Sequence, residues 1–469
     1  MNQLQKTWYY IILFNVVFSV SVCAQKDISS FVNAENLKHA GISFKLVDLT
    51  TKKTIAAYNE NMALIPASTM KLVTTAASID LLGENYVYRT KLLYDGILTE
   101  QGVLKGNIYV EGVGDPTLGS EYLEEDKERF LKEWLAAIQK AGIRTISGNV
   151  VILDQLFGYN GVSSQWTWED LGNYYAAGTY GISVFDNTYK LYLKSGAKGT
   201  KPAILKTQPV ISDLNIDNHL VAATTDNDDA YIYGIPFSYD RSVSGTIPQN
   251  RASFVVKGDI PDPGYFLADT FISYLKQNGI KVEGKPTTFR LSPLKPKSTH
   301  ELAMTSSKPL TEIIRVVNVR SNNHYAEHLF HTIEANFKTT IADFWTNKGL
   351  DTGALFMKDG SGLSPANAVS ASFLTDVLVY MNEKSKYSES FYFSLPIAGR
   401  EGTVTSFLKN TSLEGSARIK SGSIRDVQSY AGYIDAGGKR YAFALIVNHY
   451  NGARSNLRKQ MEQLLVGLF

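Results

Sequence analysis

Apolar and polar positions alternate from residue 42 to 49, the period-two pattern of a half-buried strand. The turn Thr51-Lys52-Lys53 then leads into residues 54–58, which completes a predicted hairpin. The period changes at Ser68, where an apolar run predicts a helix that stops near Gly83. Strand patterning returns from Val87, with Lys105-Gly106-Asn107 as a turn before Ile108-Tyr109-Val110. A long amphipathic helix is expected over residues 121–140, closed by Gly142, and residues 150–153 read as a buried strand ending at Asp154. Residues 190–257 are rich in Val, Ile, Tyr and Thr between Gly and Pro turns, which predicts a small, mostly β module. Asp262-Pro263-Gly264 precedes a predicted helix over 266–277, and the proline-rich stretch 285–297 reads as a return connection. Helices are expected at 310–317, 323–336 and 372–382, strands at 418–424, 429–434 and 441–449, and a last helix at 455–468.

This order predicts one α/β domain interrupted by a long insertion. The expected boundaries are 25–88 with 298–469 for the main domain, 89–189 with 258–297 for the insertion, and 190–257 for the β module nested in it. At 469 residues and 44% hydrophobic content the chain can bury a core of that size. The net charge of +2 and the absence of a long basic run argue against a nucleic-acid partner.

Residues 1–24 read as a secretory signal: Lys6 supplies positive charge, residues 8–22 are mostly apolar, and Val22-Cys23-Ala24 offers a small-residue cleavage site. The apolar run is shorter than the ~20 residues that span a bilayer, so a retained anchor is disfavoured. Val22 is bulky for a lipoprotein signal, which favours cleavage after Ala24 over anchoring through Cys23. Cys23 is the one cysteine, so the mature chain would carry no thiol, and cysteine catalysis and disulfides are excluded. The expectation is an exported, periplasmic protein without a transmembrane segment after cleavage.

The candidate chemistry starts at Ser68-Thr69-Met70-Lys71. Ser and Lys three apart at a helix start share one face, and a helix N-terminus favours a developing oxyanion. Such a pair can activate a serine without a histidine. The spacing alone is weak, since it recurs at Ser195/Lys198, Ser273/Lys276, Ser292/Lys295 and Ser406/Lys409. Two further triplets add weight: Ser321-Asn322-Asn323 at a junction of helices, and Lys420-Ser421-Gly422 on a predicted strand, where Gly422 allows close approach of a bound backbone. Ser147-Gly148-Asn149 and Lys194-Ser195-Gly196 are decoys of the same form. Only Ser68, Ser321 and Lys420 combine helix start, helix junction and penultimate-strand region in one order.

In that order the chain resembles the active-site-serine penicillin-binding proteins and serine β-lactamases, whose signature is S-x-x-K, S-x-N, K-[ST]-G. It is most similar to their low-molecular-mass class C group, the D-alanyl-D-alanine carboxypeptidases and endopeptidases. Gly114-Asp115-Pro116-Thr117-Leu118, residues 168–175, Asp359-Gly360-Ser361-Gly362-Leu363-Ser364 and residues 395–399 share in the likeness. The resemblance implies an antiparallel sheet flanked by helices, with a large, mostly β insertion after the nucleophile helix. It implies that Ser68 attacks the carbonyl between two D-alanines and Lys71 takes its proton. Ser321 would relay that proton to the leaving amine, and Asn323 would hold the substrate amide. Lys420, Ser421 and Ser423 would receive the terminal carboxylate, and the backbone N–H groups of Ser68 and Ser423 the oxyanion. Gly422 belongs to the same substrate-binding strand, and Asp154, with Tyr159 nearby, is a candidate for reading the free end of the stem peptide, although a structural strand-end role is the favoured reading. Lowering a lysine from about 10.4 to near 7 costs ~4–5 kcal/mol, so Lys71 needs burial and a neighbouring cation, for which Lys420 is the candidate. Peptidoglycan stem peptides and acylating β-lactams are the implied partners, and no cofactor or metal is expected.

Rival readings are a β-lactamase, a non-catalytic peptidoglycan-binding scaffold of the same fold, and a zinc peptidase. The last rests on His324-Tyr325-Ala326-Glu327-His328, an H-x-x-E-H pattern with His331 nearby. No glutamate suited to activating a deacylating water stands out, which argues against the β-lactamase.

Overall fold

The computed structural model describes residues 27–294, 296 and 298–469, so the predicted signal segment lies outside the described residues. Two compact units divide the chain. The first comprises residues up to Glu84, Ile314–Asn322 and Thr339–Phe469, and the second comprises Asn85–Ile313 and Asn323–Lys338.

The first unit is built on a five-stranded antiparallel sheet in the order Lys53–Tyr58, Gly41–Asp48, Lys439–Asn448, Val427–Ala436, Ala417–Ile424. Its N-terminal hairpin therefore pairs with the last strand of the chain, so the two ends of the sequence close one sheet. Alternation along these strands sends Phe44, Leu46, Ile419, Phe443, Leu445 and Val447 into a core completed by Leu457, Met461 and Leu465 of the helix Arg454–Gly467. The helix Met70–Leu82 is buried on every side from Met70 to Ile79. Its polar residues are buried with partners: Oγ1 of Thr74 donates to the Gly360 carbonyl, Oγ1 of Thr75 to the Lys71 carbonyl and Oγ of Ser78 to the Thr74 carbonyl, as a helix enclosed by protein requires.

The second unit contains a mixed five-stranded sheet in the order Pro286–Thr288, Val150–Leu153, Ile108–Glu111, Arg89–Tyr94, His300–Ser306, and a smaller four-stranded one. The strands Thr188–Lys194, Ala203–Gln208, Asn215–Ala223, Asp229–Tyr233, Asp240–Pro248 and Phe254–Asp259 form two three-stranded sheets. The helix Pro263–Gln277 starts three residues before the expected Phe266, with Asp262 accepting from the backbone N–H of Tyr265 and proline in the first turn.

The long helix expected in the insertion is shorter than its periodicity suggests. The amphipathic run of residues 121–140 is helical only over Arg129–Lys140. Its acidic start is tied elsewhere: Glu121 bridges Lys190 at 2.8 Å and Lys257 at 2.9 Å, and its backbone N–H donates to Asp186. Those two lysines hold the Glu121 carboxyl at about 2 despite partial burial. Tertiary ion pairing thus removes a full two turns from a segment whose periodicity favours helix.

Candidate active site

Ser68 lies in a short 3₁₀ turn, Ala67–Thr69, that runs directly into the helix Met70–Leu82. Ala67 has φ +48°, a left-handed conformation that costs a non-glycine residue about 1 kcal/mol or more. The surrounding structure holds it there. Oγ of Thr69 and Oγ of Ser429 both donate to the Pro66 carbonyl, at 2.8 Å and 2.5 Å. Ser68 itself is half-buried, while Lys71 is fully buried. Nζ of Lys71 donates to Oγ of Ser68 at 2.9 Å and to the Ser361 carbonyl at 2.6 Å.

The turn Asp359-Gly360-Ser361-Gly362 seats this helix. Asp359 accepts from the N–H groups of Gly362 and Ser364, and Oγ1 of Thr74 donates to the Gly360 carbonyl at 2.7 Å. A Cβ on Gly362 would lie 1.9 Å from the Ala67 carbonyl, so only glycine lets the loop come this close. Sequence reading flagged this motif as a likeness; its contribution of a carbonyl to Lys71 is visible only in three dimensions.

Ser321 follows the helix Leu310–Arg320, which runs three residues beyond its expected end. It sits at φ +55°, a left-handed position like that of Ala67 beside Ser68. Nζ of Lys420 donates to Oγ of Ser321 at 2.9 Å and to the Ser421 carbonyl at 2.6 Å. Burial, followed by the charge of Lys71, holds the Lys420 ammonium well below the usual lysine range. That repulsion sets Lys420 close enough to Lys71 for the charge of one to act on the other. A carboxylate arriving at Lys420 would restore its charge.

Cross-strand register sorts the residues of the strand Ala417–Ile424. Lys420 and Gly422 share one face with Ala431 and Ser429, and Ser421 and Ser423 share the other with Tyr430 and Gln428. A Cβ on Gly422 would lie 2.3 Å from Oγ of Ser429, 2.5 Å from the Pro66 carbonyl and 2.9 Å from the backbone N of Ser68. The space that Gly422 leaves open is therefore filled by the chain's own serine turn.

Ser68, Ser321, Ser421 and Ser423 all line one cleft of about 430 Å³, together with Thr403, Gln428, Tyr430, Arg454, Ser455 and Arg458. Oγ of Ser421 donates to Oγ1 of Thr403 at 2.7 Å, and Ser423 is exposed. Sequence reading missed Thr403, Ser429, Arg454 and Arg458, none of which stands in a short motif, and gave Thr69 no role within Ser68-Thr69-Met70-Lys71.

The remaining candidates belong to the second unit. The Asn323 amide donates to the Tyr175 carbonyl at 2.7 Å. Asp154 is buried at the end of the strand Val150–Leu153, accepting from the Tyr159 hydroxyl at 3.0 Å, and burial raises its carboxyl. The residues of the zinc pattern are engaged structurally. Nε2 of His324 meets Oγ of Ser183 at 2.6 Å, and Nδ1 of His328 meets the Gly114 carbonyl at 2.8 Å. Burial pushes His324 down to about 3 and His328 well below the usual range. His331 pairs with Glu334 instead, and among the described residues no group of three or more His, Cys, Asp or Glu side chains could hold a metal ion.

Comparison with known proteins places this geometry in context. The model of the D-Ala-D-Ala carboxypeptidase 3 (S13) family matches residues 24–468. A D-alanyl-D-alanine carboxypeptidase of an Actinomadura species is 25% identical over 91% of this chain and 81% of its own length. The D-alanyl-D-alanine carboxypeptidase DacB of Haemophilus influenzae is 26% identical over 94% and 91%. The crystal structure of penicillin binding protein 4 from Haemophilus influenzae superposes with a TM-score of 0.79 at 23% identity, covering 93% of this chain and 98% of that one. A second crystal structure of that protein carries a β-lactam. The fold is that of the penicillin-binding proteins, an α/β fold with an antiparallel sheet flanked by helices.

Proposed function

The chain belongs to the D-Ala-D-Ala carboxypeptidase 3 (S13) family, and we propose on that premise that it is an exported serine D,D-peptidase of peptidoglycan. It would remove the terminal D-alanine of stem peptides, or cut the D-alanyl cross-link to a diamino acid, and be acylated by β-lactams. The observation that carries the mechanism is the 2.9 Å contact between Nζ of Lys71 and Oγ of Ser68 in a cleft that also holds Ser321.

In this reading neutral Lys71 accepts the Ser68 proton as Oγ attacks the penultimate D-alanine carbonyl. The N–H groups of Ser68 and Ser423 stabilise the oxyanion, a contribution of about 3 kcal/mol or more per donor. The Gly422 geometry supports this pairing, because it brings the Lys420 strand against the N–H of Ser68. Ser321, bonded to Lys420, delivers the proton to the leaving amine, and the C–N bond breaks to leave an ester on Ser68. Asn323 orients the substrate amide. Lys420 with Ser421 and Ser423 takes the terminal carboxylate, a charge-assisted contact. A water then hydrolyses the ester and regenerates Ser68. Residues 25–88 with 298–469 would form the catalytic domain, and Asp154 of the intervening insertion is a candidate for reading the free end of the stem peptide.

Mass spectrometry of the purified protein after incubation with benzylpenicillin tests the reading. One covalent adduct on the native chain that is absent from Ser68→Ala is expected. A folded native chain without an adduct, or an adduct that persists in Ser68→Ala, would overturn it.

A further inference from the structure

The cleft of Ser68 extends past the residues that the D,D-peptidase reading uses. Beyond Ser421 and Ser423 it is lined by Gln428, Tyr430, Arg454 and Arg458, the two arginines coming from the first and second turns of the helix Arg454–Gly467. Neither guanidinium meets a carboxylate among the described residues. Arg454 donates to the Arg425 carbonyl at 2.6 Å and to the Tyr450 hydroxyl, and Arg458 to Oγ of Ser406 at 2.9 Å. Nε of Arg458 is buried with no hydrogen-bond partner. No Asp or Glu is among the cleft residues. Tyr430 is held in place beneath this end of the cleft by a parallel stack on Phe407, with ring centroids 3.6 Å apart.

The buried, partnerless Nε of Arg458 and two guanidinium groups that form no ion pair among the described residues, with Glu462 the carboxylate whose charge also reaches Tyr430, make this end of the cleft receptive to an anion. One terminal carboxylate at Lys420, Ser421 and Ser423 does not meet that demand. Tyr430 and Gln428 are the cross-strand partners of Ser421 and Ser423 and point to the same face, so the arginine end adjoins the place where the terminal carboxylate would rest. That carboxylate belongs to the leaving residue. What reaches beyond it is the leaving residue's own side chain.

We propose that Arg454 and Arg458 form an anion subsite on the leaving-group side, which reads a second carboxylate carried by the residue that the enzyme releases. The inference rests on the D,D-peptidase reading. It makes the arginines specificity residues: a leaving D-amino acid with an acidic side chain is preferred over its neutral isostere. Arg presents a planar fork that matches a carboxylate, so Lys is a poor substitute at either position.

The experiment compares kcat/KM for two acetylated peptides that end in D-Ala-D-Glu and D-Ala-D-Gln, in the native chain, Arg454→Gln, Arg454→Lys and Arg458→Gln. Arg454 is exposed, so its variants keep the test open if loss of the Ser406 contact unfolds Arg458→Gln. The native chain should favour the D-Glu peptide by about tenfold or more, as expected for a charge-assisted contact, and rising salt should shrink that ratio. Arg454→Gln should bring the ratio towards one, and Arg454→Lys should recover only part of it. A native ratio near one, or a fall in both peptides that preserves the ratio, would overturn the subsite while leaving the peptidase reading intact. Failure of the native chain on both peptides while it still cleaves an acetylated peptide ending in D-Ala-D-Ala would overturn the subsite alone, and failure on all three would overturn the peptidase reading with it.

Discussion

Replacing Gly422 by alanine tests whether the glycine of the Lys-Ser-Gly triplet serves the protein's own serine turn. The new Cβ would fall 2.3 Å from Oγ of Ser429, 2.5 Å from the Pro66 carbonyl and 2.9 Å from the N of Ser68. Side-chain carbons do not approach heavy atoms within 3.0 Å, so the Pro66 carbonyl must retreat by about 0.5 Å and Oγ of Ser429 by more. Ser429 can rotate away only by giving up its 2.5 Å bond to Pro66 and its contact with Thr69. Overpacking of this kind costs roughly 1–3 kcal/mol, and the lost hydrogen bond adds about 1 kcal/mol. The kinetic effect should be larger than the loss of stability. A displacement of several tenths of an ångström moves the Ser68 hydroxyl and its N–H together, and misplacement on the ångström scale costs about 100-fold in rate. Acylation by benzylpenicillin, followed by stopped-flow fluorescence or timed mass spectrometry, should slow by about 10- to 100-fold in Gly422→Ala while the chain remains folded at 25 °C. Adding Ser429→Ala removes the closest clash and should recover part of the rate, though not all, because the Pro66 contact remains. Native acylation and an unchanged melting temperature in Gly422→Ala would refute the reasoning, since no arrangement of the same backbone admits that carbon.

Two further perturbations follow from the buried titratable groups. Lys420→Met should abolish turnover yet raise the melting temperature at pH 7, because burial and Lys71 disfavour the Lys420 ammonium, and an apolar side chain in place of a strained buried charge stabilises by roughly 1–4 kcal/mol. The native stability should accordingly rise with pH towards the unfolded lysine value, and a lower melting temperature in the variant would count against the repulsion. His324 titrates at about 3 in the folded chain against about 6.5 unfolded, so the native state binds fewer protons in that interval and loses stability as pH falls through it, by up to ~1.4 kcal/mol per pH unit. Asp115 and Asp186, raised by burial to about 6, act with the opposite sign, so the informative quantity is the difference between native chain and His324→Gln in urea unfolding at pH 7, 6 and 5. The slope below pH 6 should be shallower in the variant; parallel slopes would show that the imidazole is not held neutral.

Much of the architecture is written locally. The hairpin at 41–58, the last three strands, the Asp262-capped helix and the C-terminal helix follow from period, turn residues and caps, which depend on near neighbours in the chain. The three triplets and their order are equally local, and they carried the family likeness. The helix at 121–140 fails the same logic because Glu121 finds Lys190 and Lys257, partners 69 and 136 residues away. No window of sequence contains such pairs. The chemistry of the cleft divides in the same way. Residue identity at Ser68, Lys71, Ser321 and Lys420 says which groups are available. Only the folded chain decides that Ser361 offers a carbonyl to Lys71, that Ser429 and Gly422 clamp the Pro66–Ser68 turn, and that burial and the charge of Lys71 disfavour the Lys420 ammonium. Arg454 and Arg458 stand in no motif of the sequence, where isolated charges at helical spacing carry no signal. They gain meaning when the sheet brings the end of the chain back beside the strand of Lys420, because electrostatics act through space and are blind to the order in which residues are joined.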